Sequence, residues 1–238
     1  MNAMQTIFVT GTDTGVGKTY ISCLLIRKLR QCGLIVGAYK PACSGAEWDS
    51  SVTPFWTDVA LLHSATGLDV PIDLVCPQRF LAPVAPNVAA RLEGTTVSNE
   101  LLISGASEWN HKADVLVIEG AGGLFCPLSD ELTVLDLAIR MQASVLVVAA
   151  NRLGVISHTR LTVERLRQSG LNVAGVLLNE LQEPDNDDIS RATNSDQISH
   201  WLPDIALLRG GFRSESIFIM HNDGALTNSL LARIIDRI

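Results

Sequence analysis

Gly11-Thr12-Asp13-Thr14-Gly15-Val16-Gly17-Lys18-Thr19 follows the short apolar run from Gln5 to Thr10. After it, Thr19 to Gln31 places Ile21, Leu24, Leu25 and Leu29 at helical spacing. The pattern predicts a buried strand, a glycine-rich loop and an amphipathic helix. Gly11, Gly15 and Gly17 let the backbone turn its N–H groups toward an anion, and the helix adds its positive N-terminal end. Lys18 contributes a full charge, and Thr19 a hydroxyl placed for a magnesium ion between the β- and γ-phosphates of a nucleoside triphosphate. The loop departs from G-x-x-x-x-G-K-[ST] at Thr12, because its first glycine lies one residue earlier, at Gly11.

Working outward, Leu34 to Lys40 reads as a second strand, introduced by Gly33 and stopped by Pro41. Val115 to Ile118, Ser144 to Val148 and Val173 to Leu178 are continuous runs rich in β-branched residues, the pattern of strands buried on both faces. Helical stretches from Thr133 to Gln142 and from Ser157 to Gln168 lie between them, the latter closed by Gly170. This alternation predicts an α/β fold, a doubly wound and mostly parallel sheet of the P-loop NTPase kind, in one domain spanning 1–238. The segment from Glu183 to Ser199, rich in Asp, Asn and Ser, reads as a polar stretch rather than a domain linker and is given no structural role.

Composition narrows the function classes. With 47% hydrophobic residues the chain has enough apolar material for one large core, and a formal charge of -7 offers no basic footprint for nucleic acid or an anionic membrane. Five scattered cysteines without a C-x-x-C pair fit a reducing compartment, and no apolar run approaches a membrane span. A soluble cytoplasmic protein is expected. The four tryptophans read as packing or loop anchors rather than as a base-stacking platform, and the five histidines form no ligand pattern.

In such sheets chemistry gathers at the C-terminal strand ends. Glu119 ends the Val115 run and is followed by Gly120, Ala121, Gly122 and Gly123; it reads as a Walker B-like acid or as a turn-capping glutamate. Lys40 sits at the end of the second strand, either as a solvated charge or as a second cation beside the phosphates. Asp58 opens the stretch Asp58-Val-Ala-Leu-Leu62, either as a helix cap or as a metal ligand. One hydroxyl and two carboxylates, from Thr19, Asp58 and Glu119, make a partial shell of the hard oxygen type that magnesium takes.

The loop Gly11 to Thr19, the segment Tyr39-Lys-Pro-Ala-Cys-Ser-Gly45, the stretch from Thr57 to Leu62 and Glu119-Gly-Ala-Gly-Gly123 together resemble the dethiobiotin synthase family, in order and in spacing. The likeness continues through Phe80 to Pro86, Gly122 to Leu128 and Asn151 to His158, and reaches Asn179. It implies an ATP- and magnesium-dependent cyclo-ligase of biotin biosynthesis. Carbon dioxide, or bicarbonate as its source, carbamates 7,8-diaminononanoate; ATP phosphorylates the carbamate; the second amine then displaces phosphate and closes the urea ring.

The same resemblance implies that Lys40 and Lys18 are catalytic, and that Thr14, Lys40 and Ser44 meet the carbamate or diamine. Thr19, Asp58 and Glu119 then hold the metal. ATP is bound by Gly15, Val16, Gly17, Lys18, Thr19 and Tyr20, with Asp58, Glu119, Gly120, Ala121 and Gly122 beside the phosphates and Asn179 at adenine. Gly154, Val155 and Ser157 present a helix N-terminus to the substrate carboxylate across a homodimer interface; Ser157 stands where the family often has Asn. The segment Leu202 to Gly211 fits the family's strand and adenine-covering loop only loosely.

Two other readings share the fold. A partitioning-type ATPase switch carries K-G-G-x-G-K-T, but here Asp13 occupies the place of its first lysine. A cobyrinate-type amidating ligase phosphorylates a carboxylate in a similar core and adds a glutaminase domain, for which 238 residues leave no room.

Overall fold

The computed structural model describes residues 4–48, 52–183, 187–214 and 217–221. Strand β1 (Gln5–Gly11) runs into the glycine loop and α1 (Lys18–Gln31), which leads to β2 (Val36–Tyr39). A less regular region follows: β3 (Cys43–Ser44), β4 (Glu47–Trp48), β5 (Pro54–Phe55), α2 (Thr57–Thr66), α3 (Ile72–Val75), β6 (Arg79–Phe80), α4 (Pro86–Leu92), α5 (Asn99–Ser104) and a 3-10 turn over Gly105–Trp109. Regular alternation then resumes with β7 (Val115–Gly123), α6 (Val134–Met141), β8 (Ser144–Ala150), α7 (Val155–Gln168), β9 (Val173–Asn179), α8 (Ile189–Trp201), β10 (Leu207–Gly210) and β11 (Ile217–His221).

The main sheet has seven strands in the order β11-β10-β9-β8-β1-β7-β2, parallel except where β11 pairs antiparallel with β10. The mostly parallel, doubly wound sheet expected from the buried runs is therefore present. Phe8, Val9, Val117, Ile118 and Val147 are fully buried within it, as strands covered by helices on both faces require. From β1 the chain crosses to β2, returns to fill the gap with β7, and then moves to β8 on the other side. This reversal at β1 opens a crevice at the strand ends, where ligands of such sheets bind.

Local chemistry explains the helix limits. Thr133 and Asp136 form a reciprocal capping box that starts α6 one residue after the expected boundary. Gly170 takes φ +75 just past the end of α7, as a helix-terminating glycine does. The stretch from Glu183 to Ser199 contains most of α8, whose cap Asp188 accepts a hydrogen bond from the Arg191 amide. Its lack of apolar period has a physical cause: Asn194 and Ser195 are among its buried residues, so part of its inner face is polar. Leu202 to Gly211 holds the parallel strand β10.

Candidate active site

The phosphate loop is shaped by two left-handed glycines, Gly15 at φ +72 and Gly17 at φ +88. Gly17 also lies against Asn179: a Cβ there would meet Nδ2 of that residue at 2.1 Å. Asn179 Nδ2 donates to the Val16 carbonyl at 2.9 Å, so the end of β9 braces the loop from behind. Lys18 Nζ donates to the Asp13 carbonyl at 3.1 Å. Burial is the main cause that holds the Lys18 ammonium below its ordinary pKa, and Lys40 adds to it, against the attraction of Glu119 and Asp58.

Register brings the next groups together. Tyr39 pairs with Ile118 across β2 and β7, so Lys40, just past β2, and Glu119, inside β7, stand at the same level. Lys40 Nζ lies 2.5 Å from Glu119 Oε1 and 2.8 Å from Asp58 Oδ2, while the Lys40 amide is taken up by the Val75 carbonyl at 2.7 Å. Thr19 Oγ1 donates to the same Glu119 oxygen at 2.8 Å. Burial works against the Lys40 charge, but Glu119 and Asp58 outweigh it and hold its pKa above the ordinary lysine value. Asp58 is lowered: desolvation opposes this, and Lys40 by charge and hydrogen bond, together with Thr19, overcomes it.

Asp58 is in the first turn of α2, whose cap position is Trp56, and no side chain caps that helix. Its carboxylate is instead half exposed over the lysine. The Lys40 and Glu119 side chains are only 5% and 0% exposed, which distinguishes this contact from a surface ion pair.

Lys18, Thr19, Lys40 and Asp58 line a cleft of about 720 Å³ that also takes in Thr14, Gly15, Gly17, Tyr20, Ser44, Ala121 and Gly122. Ser44 Oγ donates to the Val84 carbonyl at 2.6 Å, and the segment from Pro83 to Pro86 forms the facing wall. Sequence reasoning missed Cys43, Leu61 and Cys126 as lining residues; Cys126 follows the Gly120 to Gly123 turn by a few positions, the one signal available. Burial pushes both cysteine thiols up, Cys43 to about 11.

Val16, Glu119 and Gly120 are buried beneath the cleft. Gly154 and Ser157 line a different groove, of about 770 Å³, with Val155 buried at the start of α7. That loop is tied to the phosphate loop by Arg152, whose guanidinium stands 3.3 Å from Asp13 Oδ2.

A magnesium ion has a fitting donor set here. Glu119 Oε2 is buried without a hydrogen-bond partner, and Thr19 Oγ1 and Asp58 bring two more hard oxygens to the same place. Among the described residues no group of three or more His, Cys, Asp or Glu could cage a metal alone. A shell completed by phosphate oxygens and water suits that scarcity.

A glycine loop, a helix N-terminus, a buried lysine and a buried acid on the neighbouring strand at a sheet reversal define a P-loop nucleotide-binding protein. A family model described as an AAA domain matches residues 5–209. The chain is 41% identical to the ATP-dependent dethiobiotin synthetase BioD of Rhodopirellula baltica, over 85% of this chain and 83% of that one. It is 44% identical to the protein of the same name from Anaeromyxobacter sp. strain Fw109-5, over 77% and 80% of the two chains. The chain belongs to the dethiobiotin synthetase family.

Solved structures extend the likeness to the fold alone. The septum site-determining protein MinD with Mg-ADP, from Pyrococcus horikoshii, superposes with a TM-score of 0.51 at 18% identity, over 87% of this chain and 81% of that one. Chloroplast FtsY from Physcomitrella patens gives 0.52 at 14%, over 98% and 66%.

Proposed function

We propose that this protein is an ATP-dependent dethiobiotin synthetase that closes the ureido ring of 7,8-diaminononanoate. One amine adds to carbon dioxide and loses a proton, giving a carbamate. A carbamate oxygen attacks the γ-phosphorus, and the bond to ADP breaks. The second amine attacks the carbamate carbon, phosphate leaves with the carbon–oxygen bond, and a proton is released.

The observation that carries this reading is the Lys40 ammonium, buried and bridging Glu119 and Asp58 in the cleft that Lys18, Thr14 and Ser44 also line. Bringing an anionic carbamate to a triphosphate requires preplaced positive charge, and Lys18 and Lys40 supply it from the loop and from the strand end. Because its carboxylate partners raise its pKa, Lys40 serves as a fixed charge rather than as a proton carrier. Thr14 and Ser44 orient the carbamate or diamine on the same wall. Thr19, Asp58 and Glu119 hold magnesium, which when bound neutralises charge between the β- and γ-phosphates. Asn179, behind the loop, has an unpartnered Oδ1 suited to an exocyclic amine such as that of adenine.

Gly154 and Ser157 line another groove from the cleft, an arrangement that suits a homodimer in which this helix start serves the cleft of a second copy of the chain. The groove is bordered by exposed Leu153 and Leu161, which a partner would cover. Among the described residues no helix is long and apolar enough to cross a membrane. Five scattered cysteines without a C-x-x-C pair suit a reducing, cytoplasmic setting.

The test is an assay with ATP, bicarbonate and 7,8-diaminononanoate that follows phosphate and the cyclic urea together. Equal amounts of both are expected; phosphate without urea would return the protein to an ATPase switch or another ligase. Against a switch stands Asp13, whose carboxylate faces the Thr14 amide and Arg152 where that class has a cation.

A further inference from the structure

We infer that Glu180 is a positioning residue that fixes the nucleoside end of the site by tying three strand ends to one carboxylate. The inference rests on the reading of the cleft as a nucleotide site. Glu180 follows Asn179 at the end of β9, and its side chain is 4% exposed. Its Oε1 accepts from Asn151 Nδ2 at 2.6 Å and Arg209 Nε at 3.0 Å. Its Oε2 accepts from Arg191 Nε at 3.0 Å and Nη2 at 2.5 Å. Asn151 follows β8, Arg209 belongs to β10, and Arg191 belongs to α8 and also donates to the carbonyls of Gln182 and Glu183.

Backbone bonds run the same way, from the Asn151 amide to the Asn179 carbonyl and from the Glu180 amide to the Gly210 carbonyl. Asn179 is held between the phosphate loop and Gly210, where a Cβ would come within 3.4 Å of its Oδ1. A shift of β9 relative to β8 or β10 would move that side chain directly.

Desolvating a carboxylate and two guanidiniums is costly, and apolar packing would stabilise a fold as well. What such a network adds is geometry, and it lies at the C-terminal strand ends, where this class of sheet binds its ligands. A fixed Asn179 keeps its buried, unpartnered Oδ1 at one position behind the loop, so the network bears on how the base is held rather than on how the phosphates are.

The experiment compares binding of magnesium-ATP and magnesium-tripolyphosphate to the full-length wild type and to Glu180→Gln, without diamine or bicarbonate. Tripolyphosphate occupies the loop and has no base. The variant is expected to bind ATP about tenfold more weakly and tripolyphosphate within about twofold of wild type. Glu180→Asp, which keeps the charge, is expected to restore part of the loss. If Glu180→Gln does not fold, Arg209→Ala removes one half-exposed arm and is expected to show a smaller change of the same kind. Equal weakening of both ligands, unchanged ATP affinity, or a wild type that binds ATP no better than tripolyphosphate would overturn the inference. A wild type that binds ATP but forms no urea would overturn the proposed reaction and leave this inference standing.

Discussion

Lys40 Nζ stands 2.5 Å from Glu119 Oε1 because Tyr39 and Ile118 are paired in register, so Lys40, just past β2, and Glu119, inside β7, lie side by side. The pair is structural and chemical at once. Among the described residues, removing the lysine leaves the buried Glu119 carboxylate with Thr19 as its one remaining side-chain donor.

Lys40→Ala is therefore expected to lower stability by about 3 kcal/mol, the cost of breaking a buried pair from one side. Urea formation should fall at least about 100-fold, because a preplaced cation is lost from the transition state. Lys40→Met combined with Glu119→Gln should regain most of the stability and none of the activity. Thermal melts and a product assay on the three proteins check this; full turnover in Lys40→Ala removes the lysine from the mechanism.

Thr19→Val tests the hydroxyl alone. Its neighbours Ile21, Leu24 and Leu25 keep α1 packed, so the melting temperature should change little. The magnesium concentration for half-maximal turnover should rise about tenfold, the usual scale for losing a contact around a bound ion. An unchanged magnesium titration would assign the Thr19 hydroxyl to Glu119 only.

Much of this site was legible because its parts have strong local signatures. Left-handed glycines, a lysine at a helix start and an acid ending a buried β-branched run need no partners to be read. Lys40 and Asp58 were harder. Each has an ordinary surface or capping role, and only β2–β7 register and the entry of α2 bring them 2.8 Å apart. Helix α8 escaped because Asn194 packs by donating to Asn151 Oδ1 rather than by apolar contact, which leaves no period to detect. Its cap Asp188 was the available signal. The two-residue strands β3 to β6 depend on loop packing across the cleft wall and have no pattern of their own.

The lowered pKa of Lys18 gives a pH prediction with a definite sign. A lysine depressed by burial binds fewer protons folded than unfolded, so its charge destabilises the free protein at neutral pH and this cost fades as pH rises toward 10.5. A phosphate placed on the loop favours the charged form and raises the pKa again. Nucleotide binding should consequently take up protons at alkaline pH, as the solution approaches 10.5 from below. Calorimetry in two buffers of different ionisation enthalpy measures the uptake, and Lys18→Met should abolish it. Equal apparent enthalpies in both buffers would mean that the loop ligand does not meet this ammonium.

Two glycines with similar backbone angles separate strain from site geometry. Gly170 at φ +75 has open space around its missing side chain, and Gly17 at φ +88 has Asn179 Nδ2 at 2.1 Å from where a Cβ would lie. Gly170→Ala is expected to cost about 1 kcal/mol of stability through the left-handed conformation alone, with ATP affinity unchanged. Gly17→Ala carries that strain and must also displace Asn179, breaking its bond to the Val16 carbonyl. It should weaken ATP binding by at least about tenfold, at a stability loss larger than that of Gly170→Ala. Melting temperatures and ATP titrations on both variants decide the matter. Equal behaviour of the two would mean that the contact between β9 and the phosphate loop carries no binding geometry.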